Sequence, residues 1–497
     1  RARLIQLLLT ESVMLAALGG TAGLAIAWVT AQMMRSALLP TIEWTSPPVD
    51  ARVLAVSALI ALSVGVVMGL VPALRASRPD LTASLKAGVR EGGAHGTRLR
   101  AALTVTQAAL SIVLLVGAGL FVRSLWRIHS LDLGIQPDRV LVVDPSWPRI
   151  GLLDTAAQRM ARARRADVFL RALERVRRMP DVEHASLTVG LPFQNGFQQF
   201  LRVTGWDSIP HLKGGEPGVS AVASDYFETV GTRIFRGRTF TPADREGSEL
   251  VAVVNETMAK TLWPGRDPIG DCLFTAPTAA QLTVCARIVG IVGDVHRRSL
   301  REEASMQYYV PFGQQAGFGG TSLLIRARGA PSSVVTAARR ALVDLDPSIR
   351  YVGTQTLQEL VDPQIRPWRL GASVFGLMGV LALVVAAAGL YSVMSYLVAQ
   401  RTRELGVRIA LGAGGGNIVA LVLRSSLGMA ALGVAIGTGL ALWAGRFVAP
   451  LLFETSPDDP LVIGGVAAVL LGVAVLASLL PALRAKRVDP IEALRAE

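Results

Sequence analysis

The chain has 497 residues, of which 51% are hydrophobic and 18% charged, and its mean hydropathy is +0.45. That balance is too apolar for a soluble protein of this length and predicts membrane-spanning segments. The formal net charge of +13 raises nucleic acid as a partner, but lysine stands only at Lys86, Lys213, Lys260 and Lys486 and no aromatic-interleaved basic stripe is seen on a soluble stretch, so none is expected.

A spanning helix takes about 20 apolar residues. The first two such stretches are Leu7 to Met34 and Val53 to Leu74, and the third is Leu103 to Val122. The chain opens on Arg1 with no basic, apolar, small-residue leader before the first stretch, and the expectation is that it begins inside a longer protein. Between the second and third stretches lie Arg75, Arg78, Lys86, Arg90, Arg98 and Arg100, which mark that side as cytoplasmic.

After Arg123 the composition turns mixed. Val140 to Asp144 reads as a strand, Thr155 to Met179 as an arginine-rich amphipathic helix and Val182 to Val189 as a strand; the pattern returns with a strand at Ser322 to Arg328, a helix at Ser332 to Leu345 and a strand at Arg350 to Thr354. Two such β-α-β units close into one α/β sandwich. The stretch from about Thr204 to Phe318, with strand-like runs at Leu250 to Asn255 and Ala286 to Val292, reads as a subdomain inserted into the first. Both cysteines, Cys272 and Cys285, fall there, flanking a turn-rich segment, and either form a cross-hairpin disulfide or remain two half-buried thiols.

Three more apolar stretches follow, Leu370 to Val398, Ile418 to Phe447 and Leu461 to Leu483, making six. Arg401, Arg403 and Arg408 lie after the first of these, and Arg484, Lys486 and Arg487 after the last. The loops on the other side carry Glu43, Asp50, Glu454, Asp458 and Asp459, so both ends of this chain are expected in the cytoplasm and the segment from Arg123 to Arg369 outside it. The first two stretches also repeat in the last two. Met14 to Ala27 matches Met429 to Leu442 loosely, Val71 to Ala76 (VPALRA) matches Leu480 to Ala485 (LPALRA) closely, and an amphipathic tail follows each copy, at Pro79 to Lys86 and at Asp489 to Arg495. Such duplication supplies pseudo-twofold halves.

The polar segment from Arg401 to Ala413 has apolar residues at Leu405, Ile409 and Leu411, a pattern for a short amphipathic helix on the cytoplasmic surface; an ordinary basic loop is the alternative. Gly412 to Gly416 lacks the Lys-Ser/Thr of a phosphate loop and reads as a hinge. No catalytic or metal constellation is expected: the histidines are scattered, and His296 beside Asp294 reads as a strand end. Glu11 and Arg424 lie near the cytoplasmic ends of the first and fifth stretches and the middle of every stretch is uncharged, which argues against an ion-coupled carrier.

The run Gln400-Arg401-Thr402-Arg403-Glu404-Leu405-Gly406-Val407-Arg408-Ile409-Ala410-Leu411-Gly412-Ala413 resembles the cytoplasmic signature of MacB/FtsX-type ABC permeases. Asp225 to Gly231 (DYFETVG), Phe235 to Arg238 (FRGR), Val253 to Thr257 (VVNET) and Trp263 to Gly270 (WPGRDPIG) resemble the MacB periplasmic core domain, and the doubled arrangement resembles duplicated two-unit permeases. The resemblance implies an α-helical transmembrane bundle with an extracytoplasmic α/β (α+β) domain. Residues 1–101 would be the last two spans of a first unit with a cytoplasmic linker, and 102–124 the first span of the second unit. Residues 125–369 would be the extracytoplasmic core domain, with its α/β part at about 139–205 and 320–360 and a β-rich insert at about 206–318, and 370–497 three further spans.

It further implies a permease of an export or mechanotransmission system in the bacterial inner membrane, driven by a separate cytoplasmic ABC ATPase dimer; the alternative is a regulatory protein that relays an ATPase signal to an envelope enzyme. In that reading Arg401, Thr402, Arg403, Glu404, Leu405, Gly406, Arg408, Ile409, Leu411 and Gly412 couple to the ATPase, with Leu405 and Ile409 as its apolar anchor. Membrane lipid is the surround, an envelope protein or a hydrophobic or peptide substrate a further partner, and no cofactor is implied.

Overall fold

The computed structural model describes residues 2–38, 47, 50–76, 94–148, 155–194, 199–276, 284–314 and 321–486. Both amphipathic tails of the repeat lie outside the described residues, as do Glu43, Arg78, Lys86, Arg90 and Arg487. Two compact units result, one formed by Arg1–Arg127 with Arg366–Glu497 and the other by Ile128–Ile365.

The first unit is helical. Its long helices are α1 (Ala2–Leu38), α2 (Ala51–Ala76), α3 (Ala94–His129), α8 (Leu357–Gln400), α10 (Gly415–Val448) and α11 (Pro460–Ala485). Among the described residues, five of them are long and apolar enough to cross a membrane, and α2 holds an apolar run at Ala51–Val66. Carboxylates start two of these helices. Asp50 Oδ1 accepts from Val53 N at 2.8 Å, and Asp459 Oδ1 from Leu461 N at 3.0 Å, with Pro460 next to it in the first turn.

Small residues set the packing. A Cβ at Gly65 on α2 would stand 2.8 Å from Ala16 on α1; one at Gly433 on α10 would stand 2.6 Å from Ala108 on α3, and one at Gly437 2.7 Å from the Ala109 carbonyl and the Ile112 Cβ. Backbones therefore approach closely, as lipid-embedded helices do when no large side chain intervenes. At the loop end of the α10–α11 pair, Arg123 Nε meets Asp459 at 2.7 Å, Ser124 donates to Thr455 Oγ1 at 3.2 Å, and Trp368 Nε1 donates to the Leu451 carbonyl at 2.9 Å. These contacts tie α3 and α8 to the loop between α10 and α11.

The second unit is one eleven-stranded sheet with helices upon it. Its strands are β1 (Val140–Ser146), β2 (Val182–Val189), β3 (Phe200–Val203), β4 (Gly218–Val222), β5 (Ile234–Gly237), β6 (Val251–Asn255), β7 (Cys272–Ala276), β8 (Cys285–Val292), β9 (Gln307–Pro311), β10 (Thr321–Ala327) and β11 (Tyr351–Thr356). They run β11-β1-β10-β2-β4-β9-β6-β8-β7-β3, with β5 on β8. Helices α4 (Thr155–Arg177), α5 (Tyr226–Val230), α6 (Glu256–Leu262) and α7 (Ser332–Val343) complete it.

Both sheet faces are covered, which explains why β4, β6 and β9 are buried throughout and do not alternate. Leu141, Val143, Leu187 and Leu323 pack with Phe169 and Leu173 of α4 and Leu342 of α7; Val140, Val142, Leu324 and Val253 turn the other way, against Tyr226, Phe227 and Tyr309. The two β-α-β units interleave, giving β11-β1-β10-β2. The segment read as an insert continues the same sheet, joined to it among the described residues where Thr188 faces Val222 and Val189 faces Ala221. Strand β3, expected with the α/β part, lies instead at the far edge beside β7. Pairing partners depend on long-range closure, which local periodicity does not encode.

Candidate functional site

Helix α9 (Thr402–Ala410) follows α8 with only Arg401 between them. Nine residues are marginal as a free helix in water, so its stability has to come from its ends and from packing. Leu405 is 2% exposed and Gly406 is buried. Leu405 joins Val393 and Met394 of α8, Ile418 and Val422 of α10 and Ala482 and Ala485 of α11, with Ile409 half-buried against the same cluster. The expected partner-facing anchor is thus turned into the chain's own bundle. Periodicity identified an apolar face, and that face was taken up by neighbouring helices.

The outward face is different. Arg401, Glu404, Val407, Arg408, Ala410, Leu411 and Gly412 are exposed, Leu411 at 82% and Val407 at 40%. Val407 and Leu411 are four apart and form one short apolar ridge. Glu404 pairs with Arg408 at 2.7 Å and with Arg401 at 4.0 Å. Thr402 donates its hydroxyl back to the Ala399 carbonyl at 2.9 Å, and Arg403 lies within the helix. Val407 escaped the sequence reading; the signal for it was its place between Glu404 and Leu411 at helical spacing.

The C-terminus of α9 is closed by a turn that requires glycine. The Ala413 N–H donates to the Arg408 carbonyl at 2.9 Å and the Gly412 N–H to Ile409 at 3.0 Å, with Gly412 at φ +92°. This pair of bonds is a Schellman motif, whose left-handed residue is nearly free of strain only as glycine. Gly414 then caps α10, so the glycine-rich stretch is the turn between two helices.

Elsewhere the sequence candidates separate. Cys272 and Cys285 are bridged across β7 and β8 with their Cα atoms 5.1 Å apart, diagonal to the register that sets Phe274 opposite Cys285. Asp294 accepts from Asn255 Nδ2 at 2.6 Å, from Thr257 N at 3.0 Å and from Thr257 Oγ1 at 2.6 Å. It is thus occupied in fastening the start of α6, while the His296 N–H donates to the Leu133 carbonyl at 3.2 Å. No group of three or more metal-ligating side chains occurs among the described residues.

Two polar features of the second unit bear on its stability. Burial pushes the Asp144 carboxyl up from its ordinary value, against a hydrogen bond from Ser322. Burial also pushes Asp244 up, but the Arg238 guanidinium, in two bonds of 2.7 and 3.0 Å, and the Thr241 N–H at 2.8 Å outweigh it and hold the carboxyl below the usual range.

Comparison with known proteins gives two family matches that together take in more than two thirds of the chain. Residues 101–345 match the MacB-like periplasmic core domain and residues 376–490 the FtsX-like permease C-terminal domain. The ABC transporter permease YknZ of Bacillus subtilis (strain 168) is 25% identical over 294 residues, covering 58% of this chain and 72% of that protein. Macrolide export ATP-binding/permease protein MacB 2 of Aeromonas hydrophila subsp. hydrophila is 24% identical over 316 residues, covering 58% of this chain and 47% of its own length. The probable syringafactin export ATP-binding/permease protein SyfD of Pseudomonas syringae pv. tomato is 26% identical over 289 residues, 56% and 42% respectively. The chain therefore spans about half or less of these two ATP-binding/permease relatives. Among solved structures, the periplasmic region of MacB from Actinobacillus actinomycetemcomitans matches at a TM-score of 0.31 and 13% identity, over 47% of this chain and 95% of that one.

Proposed function

From a chain that belongs to the MacB/FtsX-type ABC transporter permeases, multi-pass proteins with a periplasmic domain, we infer a subunit that converts ATP hydrolysis by a separate cytoplasmic ATPase into movement of its outer domain. The observation that carries this reading is the two-sided α9. Its inner face, through Leu405, is locked to α8, α10 and α11, and its outer face offers the Val407–Leu411 ridge beside the paired charges of Arg401, Glu404 and Arg408. A helix gripped on one side and open on the other passes a push from a partner to three bundle helices at once. The chain between the Ile128–Ile365 unit and α9 is a single helix, Leu357–Gln400. In this reading the Arg401–Ala413 side of the bundle faces the cytoplasm, as the arginine bias favours, and residues 125–369 lie outside it.

The relatives' names speak of macrolide and syringafactin export, and export of a hydrophobic or peptide compound is the proposed output here. The test is co-purification with the cognate ABC ATPase from membranes, together with the ATPase rate of the complex. Val407→Asp with Leu411→Asp should abolish co-purification and remove stimulation by the permease while the fold, read by circular dichroism, is kept. An unchanged complex would refute the assignment of α9.

A further inference from the structure

The eleven-stranded sheet ends at β3, which pairs with β7 on one side and, among the described residues, with no strand on the other. Such an edge leaves alternate backbone N–H and C=O groups without a ladder partner, and it accepts a further extended chain unless a bulge, a proline or an edge charge blunts it. Strand β5 is blunted, since its register against β8 shifts between Ile234 and Arg236. Strand β3 is not. Phe200, Leu201, Arg202 and Val203 face Ala276, Thr275, Phe274 and Leu273 in one continuous register, and its one charge, Arg202, lies over the ring of Phe274 directly opposite, 4.4 Å from its centre. The Cys272–Cys285 bridge fastens β7 to β8 and so holds this edge in place before any partner arrives.

Beside the edge lies a cavity of about 460 Å³, lined by Gln199, Phe200 and Leu201 at the start of β3 and by residues 208–211 and 216–217 of the chain that leads to β4. Successive side chains of a strand point to opposite faces, so a cavity that touches three in a row lies along the strand's edge and not over one face. Most of the lining is apolar: Phe200 is 53% exposed, and Leu201 and Ile209 are half-buried. Two polar side chains in it are short of protein partners. Gln199 accepts at Oε1 from the Tyr308 hydroxyl at 3.4 Å, while its Nε2 is buried without a hydrogen-bond partner. Glu216 makes no ion pair among the described residues, its neighbour Lys213 being taken by Glu303 at 3.6 Å, and no lysine or arginine lines the cavity.

We propose that this cavity binds an extended peptide segment carrying a basic residue, added as a further strand on β3. The peptide backbone continues the ladder and supplies the carbonyl acceptors that Gln199 lacks; its apolar side chains pack on Phe200, Leu201 and Ile209, and its lysine or arginine meets Glu216. This goes beyond the ATPase reading and stands without it, since it uses only the Ile128–Ile365 unit.

The test titrates the full chain, in phosphatidylcholine nanodiscs, with a fluorescein-labelled hexapeptide of alternating threonine and valine that carries one central lysine, read by fluorescence anisotropy. Saturable binding is expected. Glutamate in place of the lysine should weaken it roughly fivefold, about one exposed charge contact, and Glu216→Gln should erase that difference. The lysine peptide N-methylated along its backbone cannot join the ladder and should bind at least about tenfold more weakly. Ser208→Trp, at an exposed residue of the lining, should block the cavity while circular dichroism shows the fold kept. No saturable binding of the lysine peptide, equal affinity for the lysine and glutamate peptides, undiminished binding of the methylated one, or unchanged binding to the Trp variant would each overturn the proposal.

Discussion

The two units bury opposite things. In the Ile128–Ile365 unit the large apolar side chains are inside: Leu187, Leu273, Ile288 and Tyr308 are fully buried, while the arginines of α4 stand outside in pairs such as Arg164 with Asp346 at 2.9 Å. In the helical unit the large ones face outward, Leu461 at 71%, Leu476 at 70% and Leu18 at 68%, and small residues occupy the interior, with Ala430, Ser426, Ser478 and Ala482 at 0%. One amino-acid alphabet thus answers two solvents. Water drives leucine inward, whereas lipid is as apolar as leucine and leaves close packing of small side chains to hold helices together.

That contrast breaks most sharply at matched leucines. Leu187→Ala in β2 should cost roughly 2–5 kcal/mol, because it leaves a cavity under α4 that the sheet cannot close. Leu476→Ala on the outer face of α11 should change stability by no more than about 0.5 kcal/mol in bilayers, since lipid fills the space. Denaturant or thermal unfolding of the full chain, followed by near-ultraviolet circular dichroism, measures both. Equal losses at the two sites would mean that the α11 face is covered by protein and not by lipid.

The reverse substitution probes the reverse rule. At Gly437 a single added Cβ meets the Ala109 carbonyl and Ile112 Cβ at 2.7 Å, so Gly437→Ala should loosen α3 from α10 at a cost of about 1–3 kcal/mol. Gly439, with nothing within 4 Å of an added Cβ, is the control and should tolerate alanine. Cysteine crosslinking between α3 and α10, tracked as temperature rises, distinguishes the two variants. A smaller effect is expected at Gly412, where φ +92° makes alanine strained by about 1 kcal/mol; the fraying should be confined to α9 and visible as faster hydrogen exchange at Leu411 and Ala413.

The same contrast explains what was legible in the sequence. The long helices could be read because nothing but length and apolarity is needed to specify them, and α4, β2 and α7 because their periodicity is local. The order of the strands could not. Nothing around Phe200–Val203 announces that β3 will leave β2 and pair with β7, and the short Thr188–Val189 junction that merges the two halves of the sheet has no local signature. At α9 the sequence showed which residues share a face, Leu405 with Ile409, but not that the chain's own helices would claim it. What covers an apolar face is a question about the rest of the molecule, and only the packed structure answers it.

The smallest effect concerns protons, and it belongs to the water-facing unit. Asp346 is 1% exposed, and burial alone would raise its carboxyl. It accepts from Ser348 Oγ at 2.7 Å and Ser348 N at 3.1 Å, from Trp147 Nε1 at 3.0 Å and from Arg164 at 2.9 Å, and these donors win, holding it below the ordinary value. A carboxylate held low in the folded state adds stability that is present above its unfolded pKa of about 3.9 and is lost as pH falls through the folded value. Asp346→Asn should therefore lower the Tm of the outer unit relative to the unaltered chain at pH 6, and the gap should narrow once the pH drops below about 4. Asp144, raised by burial, has the opposite sign, so Asp144→Asn should be harmless or stabilising at pH 6. A gap at Asp346 that stayed constant from pH 6 to pH 3 would show that its donors hold shape and not charge, and that the outer unit's interior is as indifferent to protons as the glycine-lined seams of the helices.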